Sequence, residues 1–308
     1  MKYIVMSIVQ WDSIFEPGGK IVNDVSGGAG VYALSGMKIW TDAVGIVSGV
    51  GADYLSAFGS WYKRNQISTE GLSVLDPHSP RNMIRYKTDD DRLEISLYGR
   101  EHFRKLEPQP RDLIPFLSGV EGVYIFQNAR PSFWDQIRDL KKRYGFRIMW
   151  EISSDAAKEE NLDRIRMALS PEDIFSINRT EMARLSGADS VQETISFFLE
   201  TFCCSGFLRD GKMGSYVISN GQCCFIPSCR NINVVDPTGG GNSSTGGAFI
   251  GFCKNLSLER IGAMANVSAA ICIEQFGVPP RIDSACRMRA KELMNEILSD
   301  QEWKYVKK

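Results

Sequence analysis

The clearest chemistry in this sequence lies in Val234-Val235-Asp236-Pro237-Thr238-Gly239-Gly240-Gly241-Asn242-Ser243-Ser244. An apolar run, read as a strand, ends in Asp-Pro. Three glycines follow, and then a helical pattern containing Gly246, Gly247 and Gly251. Consecutive glycines let a chain bend tightly and leave backbone N–H groups free. Together with the first turn of a helix, those groups form a site for an anion, physically a place for a phosphate group. A triple-glycine loop that merely connects two elements is the competing reading. Asp236 fits a cap on the turn through its own backbone.

A second candidate is Asn178-Arg179-Thr180-Glu181, an amide and a carboxylate three residues apart where a helical pattern begins. That spacing suits a capping pair, with Asn178 on the helix N-terminus and Glu181 reaching back. Cysteines at 203, 204, 223, 224, 229, 253, 272 and 286 all fall after residue 200, and His78 and His102 are the only histidines. A zinc site wants paired ligands at short spacing, and no Cys-x-x-Cys occurs. Small buried hydrophobes in a reducing compartment explain these cysteines better.

Such residues need a scaffold. Short apolar runs at 3–9, 43–47, 122–126, 147–150, 174–177, 207–208, 216–219 and 233–235 read as strands. Stretches near 29–38, 53–65, 132–144, 180–187, 191–202, 242–254, 258–276 and 284–298 read as helices. This alternation predicts a mainly parallel sheet covered on both faces. Ligands of such sheets collect beyond the carboxyl ends of the strands. Two segments break the alternation. Residues 13–25 carry no helical pattern, and residues 81–104 hold two runs near period two around Asp89-Asp90-Asp91, which predicts a hairpin with a charged turn. These strands would form a small flap outside the main sheet.

Composition narrows the function classes. The chain has 308 residues, 43% of them hydrophobic and 24% charged, which fits a folded globular protein rather than a disordered one. A net charge of -1 offers no basic field for a nucleic acid. The apolar run 3–9 is far below the ~20 residues that span a bilayer, and no small-residue cleavage site follows it. No membrane and no nucleic acid are therefore expected as partners, and a cytoplasmic location is.

The turn at 236–242 resembles the signature of the ribokinase-like (PfkB) family of carbohydrate kinases. The family reads Asp-Thr-x-Gly-Ala-Gly-Asp, and this chain reads Asp-Pro-Thr-Gly-Gly-Gly-Asn. Further matches fall in the family's order. Ser26-Gly27-Gly28-Ala29-Gly30 resembles its N-terminal Gly-Gly motif, and Val50-Gly51-Ala52-Asp53 its Val-Gly-x-Asp. Asn178 and Glu181 resemble its Asn-x-x-Glu element. Arg209-Asp210-Gly211-Lys212-Met213-Gly214 resembles the Gly-x-x-Gly turn beside the nucleotide. The segment from Ala263 through Asn266 to Ala270 resembles the small-residue helix near the adenine. The likeness runs from the first strand to about Gly277.

The resemblance implies a single domain over 1–308: a three-layer α/β/α sandwich with a mainly parallel central sheet. It also implies a small β-lid from segments near 13–25 and 81–104, with a homodimer contact through that lid. It implies transfer of the γ-phosphoryl group of ATP, with Mg²⁺, to a hydroxyl of a sugar or related small polyol. In that scheme Gly239, Gly240 and Gly241 stabilise the phosphoryl group, and Asn242 stands at the position of the catalytic carboxylate. Asp12, Gly27, Gly28 and Tyr32 grip the acceptor. Asn178, Glu181, Gly211, Gly214 and Asn266 border the nucleotide, Glu181 ordering Mg²⁺ indirectly. Asp236 and Thr238 match positions that bind a monovalent cation, K⁺, in some members.

Three positions depart from the family. Asn242 is a neutral amide without useful basicity, and a general base is typically worth ~10²–10⁴ in rate. Phosphoryl transfer, however, depends mostly on positioning and charge stabilisation. Asn242 can still hold the acceptor hydroxyl by a hydrogen bond, with Asp12 or another carboxylate taking the proton. The alternative is a pseudokinase that binds sugar and nucleotide without turnover. Tyr32 replaces a common Asn, and Glu151-Ile152-Ser153 stands where many members carry Asp-x-Asn. An unusual sugar, a nucleoside or a cyclitol is the expected acceptor. A dinucleotide-dependent enzyme is disfavoured, because Ser26-Gly27-Gly28 comes about 18 residues too late for a Gly-x-Gly-x-x-Gly after the first strand.

Overall fold

The computed structural model describes residues 1–16, 18–86, 92–300 and 302–306. The expected Asp89-Asp90-Asp91 turn lies outside the described residues. Fourteen strands occur among those described: β1 Tyr3–Met6, β2 Gln10–Phe15, β3 Ile21–Gly27, β4 Val44–Gly51, β5 Leu72–Asp76, β6 Arg81–Tyr86, β7 Arg92–Ser96, β8 Gly122–Gln127, β9 Arg147–Ile152, β10 Ile174–Asn178, β11 Ser205–Arg209, β12 Gly214–Ser219, β13 Gln222–Pro227 and β14 Lys304–Val306.

Ten of them form one sheet in the order β14-β13-β12-β11-β10-β9-β8-β1-β4-β5. From β5 to β11 every pairing is parallel, and β12, β13 and β14 add antiparallel pairs at one edge. Side chains alternate across a strand, so each strand feeds two cores. Tyr3, Val5, Ile46, Tyr124, Met149, Ile174 and Phe207 face the helices 29–40, 240–253 and 258–273. Ile4, Met6, Val47, Ile125, Trp150, Phe175 and Leu208 face the helices 131–144, 162–168, 179–186 and 191–201. Both faces of the sheet are covered, which gives the ribokinase-like three-layer α/β/α sandwich. Trp150 is fully buried, and its indole N–H donates to the Gln127 carbonyl.

Glycine sets how closely the layers approach. A Cβ at Gly36, in helix 29–40, would fall 2.1 Å from the Ser243 carbonyl oxygen. The helix that begins at the glycine turn is thereby seated directly on helix 29–40.

A second sheet has the order β3-β2-β6-β7. Its apolar side holds Ile14, Val25, Ile84 and Tyr86, with Val22 and Phe276 against them. β6 and β7 pair antiparallel as the two arms of the expected hairpin, but Gly99–Leu106 is a helix. Asp12, expected just after the first strand of the main sheet, lies on β2, opposite Val25 and Asn82.

One expected strand is absent. Residues 233–235 are irregular, with Val234 and Val235 exposed. The N–H groups of Val235 and Asp236 both donate to the Ile273 carbonyl at the end of helix 258–273. The β-branched pair imitates a strand, whereas the backbone is satisfied by a helix terminus.

Candidate active site

The helix Gly240–Cys253 begins in the glycine turn. Gly239 precedes it at φ 80°, a left-handed conformation that glycine adopts without cost. A Cβ there would lie 2.1 Å from Cδ1 of Tyr32, so the Tyr32 ring is seated directly on the turn. Gly239 and Gly240 are buried, Gly241 is exposed, and Asn242 is half-buried. The amides of Gly241 and Asn242 belong to the first helical turn, where N–H groups have no intrahelical partner and the helix dipole is positive.

Asn242 projects into a cluster that sequence reasoning did not assemble. Its Nδ2 donates to Oε1 of Glu151 at 2.9 Å. Arg209 Nη1 reaches the same oxygen at 2.7 Å, and Arg209 Nη2 lies 3.6 Å from Glu181. The Tyr124 hydroxyl donates to Oε2 of Glu151 at 2.7 Å. Glu151 is only 1% exposed. Burial pushes its carboxyl above the usual range, against the opposing pull of Arg209. Arg209 is held even more firmly protonated than usual: burial opposes its charge, but Glu151 and Glu181 outweigh that. Burial and the adjacent Glu151 likewise push the Tyr124 hydroxyl well above its usual value, so Tyr124 acts as a donor. Arg209 also touches the turn itself, since a Cβ on Gly241 would meet Nη1 at 2.7 Å. A cation therefore stands beside the amides that sequence reasoning assigns to an anion.

Asn178 and Glu181 form the expected capping box. Asn178 Oδ1 accepts from the Glu181 N–H at 2.8 Å, and Glu181 Oε2 accepts from the Asn178 N–H at 3.0 Å. Ser154 donates its hydroxyl to the other Glu181 oxygen. Removing the cap with Asn178→Ala is expected to cost about 1 kcal/mol of stability, read as a lower midpoint in urea unfolding. Glu181 would also lose its fixed orientation, because its N–H would no longer have the Asn178 acceptor.

A cavity of about 660 Å³ opens beyond the carboxyl ends of β1, β8 and β9, against the second sheet. Ser7, Asn82, Phe103, Phe126, Gln127 and Ser153 are among its lining residues, and Arg100, Arg104 and Arg130 stand at its wall. Ser7 Oγ, Asn82 Oδ1 and Ser153 Oγ are buried without a hydrogen-bond partner in the protein. Such a group costs roughly 1–3 kcal/mol unless a ligand or water satisfies it. Three of them around one cavity describe a site for a molecule rich in hydroxyls.

The other expected site residues divide. The Asp12 carboxylate lies against Gly27, where a Cβ would come within 1.7 Å of Oδ2, and Gln10 donates to its Oδ1. Gly28, at φ 89°, leaves its own Cβ position filled by the Ile8 carbonyl. Tyr32 is buried, and its hydroxyl has no partner in the protein. Asp236 Oδ1 accepts from the Thr238 N–H and hydroxyl, which is the backbone cap expected of it, and from Tyr86. Its Oδ2 is buried without a hydrogen-bond partner. Gly211 and Gly214 turn the chain between β11 and β12. Asn266 is buried in internal bonds: its amide donates to the Ile226 and Pro227 carbonyls and its Oδ1 accepts from Ser215.

Among the described residues no group of three or more His, Cys, Asp or Glu side chains is placed to hold a metal ion. All eight cysteines are free, and burial pushes the thiols of Cys223, Cys224, Cys229, Cys253 and Cys272 up to about 12. No helix among the described residues is long and apolar enough to cross a membrane.

Sequence reasoning missed Arg209, Tyr124 and Asn82 as site residues, and placed Glu151 only as a departure from a motif. The one available signal was a basic residue directly before Asp210-Gly211 at a strand end.

The model of the pfkB family carbohydrate kinases matches residues 20–284. The protein MAK32 of Saccharomyces cerevisiae is 30% identical over 83% of this chain and 79% of its own length. A nucleoside kinase of Methanocaldococcus jannaschii is 22% identical over 82% of this chain and 80% of its own. The crystal structure of the M. jannaschii nucleoside kinase, described as an archaeal member of the ribokinase family, superposes with a TM-score of 0.71 over 96% of this chain and 99% of its own, at 21% identity. An E. coli protein in complex with ATP and Mg²⁺ superposes with a TM-score of 0.73 over 96% of this chain and 99% of its own, at 18% identity.

Proposed function

Because this chain belongs to the pfkB family of carbohydrate kinases, we propose that it transfers the γ-phosphoryl group of ATP to a hydroxyl of a sugar, a nucleoside or a related small polyol. The observation that carries this reading is the meeting of three elements at one point. Asn242 of the glycine turn and Arg209 both bond the buried Glu151, and Arg209 in turn approaches Glu181 of the capping box. Amide donors and a cation around a phosphoryl group are what a loose transition state requires.

The acceptor occupies the cavity at the ends of β1, β8 and β9, where Ser7, Asn82 and Ser153 offer unsatisfied polar atoms. Asp12, packed against Gly27, and Tyr32, packed against Gly239 of the turn, are the further residues proposed to grip the acceptor. The second sheet acts as the lid. Its outer side leaves Ile21, Leu93 and Ile95 exposed, which favours a homodimer contact there. The acceptor oxygen bonds to the γ-phosphorus as the bond to the β-phosphate oxygen breaks. ADP leaves with that electron pair, and the hydroxyl proton passes to a phosphoryl oxygen or to water. Asn242 orients the hydroxyl.

Bound with the nucleotide phosphates, Mg²⁺ would supply charge neutralisation there. Both Glu181 oxygens are already engaged, which fits an indirect role for that residue through a metal-bound water. The unpartnered Oδ2 of Asp236 fits a K⁺ contact, with Thr238 beside it.

The test is ADP release from Mg-ATP with the unmodified protein against sugars, nucleosides and cyclitols. Peptide mass spectrometry must show that Asn242 is intact, because Asn-Ser deamidates. Release that depends on at least one acceptor is expected. Thermal stabilisation by these ligands with no release above buffer would replace this reading with that of a pseudokinase, a binding module.

A further inference from the structure

We propose that Glu151 is the positioning residue of the phosphoryl site, and that it and Asn242 form an acid–amide pair whose carboxylate has been placed on the sheet instead of on the glycine turn. The inference rests on the kinase reading above. Asn242 spends its Nδ2 on Glu151, so its carbonyl oxygen Oδ1 must point away from Glu151. An amide held this way turns its carbonyl acceptor away from Glu151, while the second N–H of Nδ2 stays available as a donor. Glu151 also fixes the guanidinium of Arg209, which lies against Gly241 on the same side of the turn. Tyr124 holds the second oxygen, which leaves Glu151 one orientation.

Charge counting supports the pairing. Glu151 and Glu181 carry two negative charges against the single positive charge of Arg209. Asn242→Asp would raise this to three against one and set two carboxylates at hydrogen-bond distance, where both cannot remain ionised without penalty. Glu151→Gln would lower it to one against one and release the polarity of Asn242. The exchange E151Q/N242D restores two against one, and the new amide can donate to the new carboxylate.

The experiment is a double-mutant cycle on the full chain, with melting temperature as one readout and the kcat and KM of acceptor-dependent ADP release as the other. Each single variant is expected to melt roughly 5 °C lower, and the exchange to recover most of that loss. Glu151→Gln is expected to lose roughly tenfold or more in kcat with little change in KM for Mg-ATP, and the exchange to regain it. Melting losses that simply add in the double variant overturn the pairing, whatever the protein catalyses. Non-additive melting with an unaltered kcat in Glu151→Gln overturns the positioning role. Non-additive melting in a wild-type protein that releases no ADP also overturns that role, reduces the pair to a structural element, and counts separately against the kinase reading.

Discussion

Arg209→Met is expected to slow phosphoryl transfer severely and to destabilise the fold together. Arg209 joins Glu151 at 2.7 Å and approaches Glu181 at 3.6 Å, and both carboxylates are almost fully buried. A buried ion pair is costly to break from one side, because the remaining charge has neither water nor partner. The loss is about 3–5 kcal/mol, a fall in melting temperature of roughly 5–8 °C. The sign with pH follows from Glu151. Its carboxyl is already raised above the usual range by burial, and without Arg209 it rises further. A carboxyl raised in the folded state favours folding when protonated, and that contribution is lost as pH rises through the folded value. The variant should thus lose relative stability from acidic toward neutral pH. Thermal unfolding across that range measures this, and a deficit that shrinks with rising pH would contradict it. A loss of roughly 10³-fold in kcat is expected in addition, the scale on which cationic stabilisation of a transferring phosphoryl group operates.

Gly239→Ala is the second change with a large expected effect. The left-handed backbone costs a residue with Cβ roughly 1–2 kcal/mol. The added carbon would also fall 2.1 Å from the Tyr32 ring, and overpacking of this kind costs typically about 1–3 kcal/mol. Together the two terms give about 2–5 kcal/mol. The second term disappears when the ring is removed. In the Tyr32→Ala background, Gly239→Ala should therefore cost less than in the wild type, by urea unfolding. Equal costs in both backgrounds would show that Tyr32 does not press on the turn. Activity should fall with stability in the single variant, because the displaced turn also carries the amides of Gly241 and Asn242.

What the sequence disclosed and what it hid follow from distance along the chain. Asn178 and Glu181 are three residues apart, so their reciprocal cap is written in local spacing, as is the glycine turn. The alternating cores of β1, β4, β8, β9 and β10 were legible because both faces are buried and the runs are nearly all apolar. The edge strands were not. Leu72–Asp76 is a five-residue run that exposes Ser73, Val74 and Leu75 and lacks the continuous burial of the central strands, while Val234 and Val235 have the residue type of a strand and the backbone of a loop. The Glu151–Asn242 contact spans 91 positions, and no local pattern encodes it. Arg209 was quoted within a turn motif, yet its charge becomes meaningful only when β11 is laid beside β10 and β9, bringing it to Glu151. Asn82 and Ser7 are ordinary residues until their unpartnered atoms are seen to line the same cavity.

The most direct measurement is a crystal structure of the wild-type protein with Mg²⁺ and a non-hydrolysable ATP analogue. The terminal phosphate should lie about 3 Å from the amide nitrogens of Gly241 and Asn242, within reach of Arg209, and should face the cavity beyond β1, β8 and β9. A nucleotide bound with its terminal phosphate away from the first turn of helix Gly240–Cys253, or out of reach of Arg209, would contradict the account.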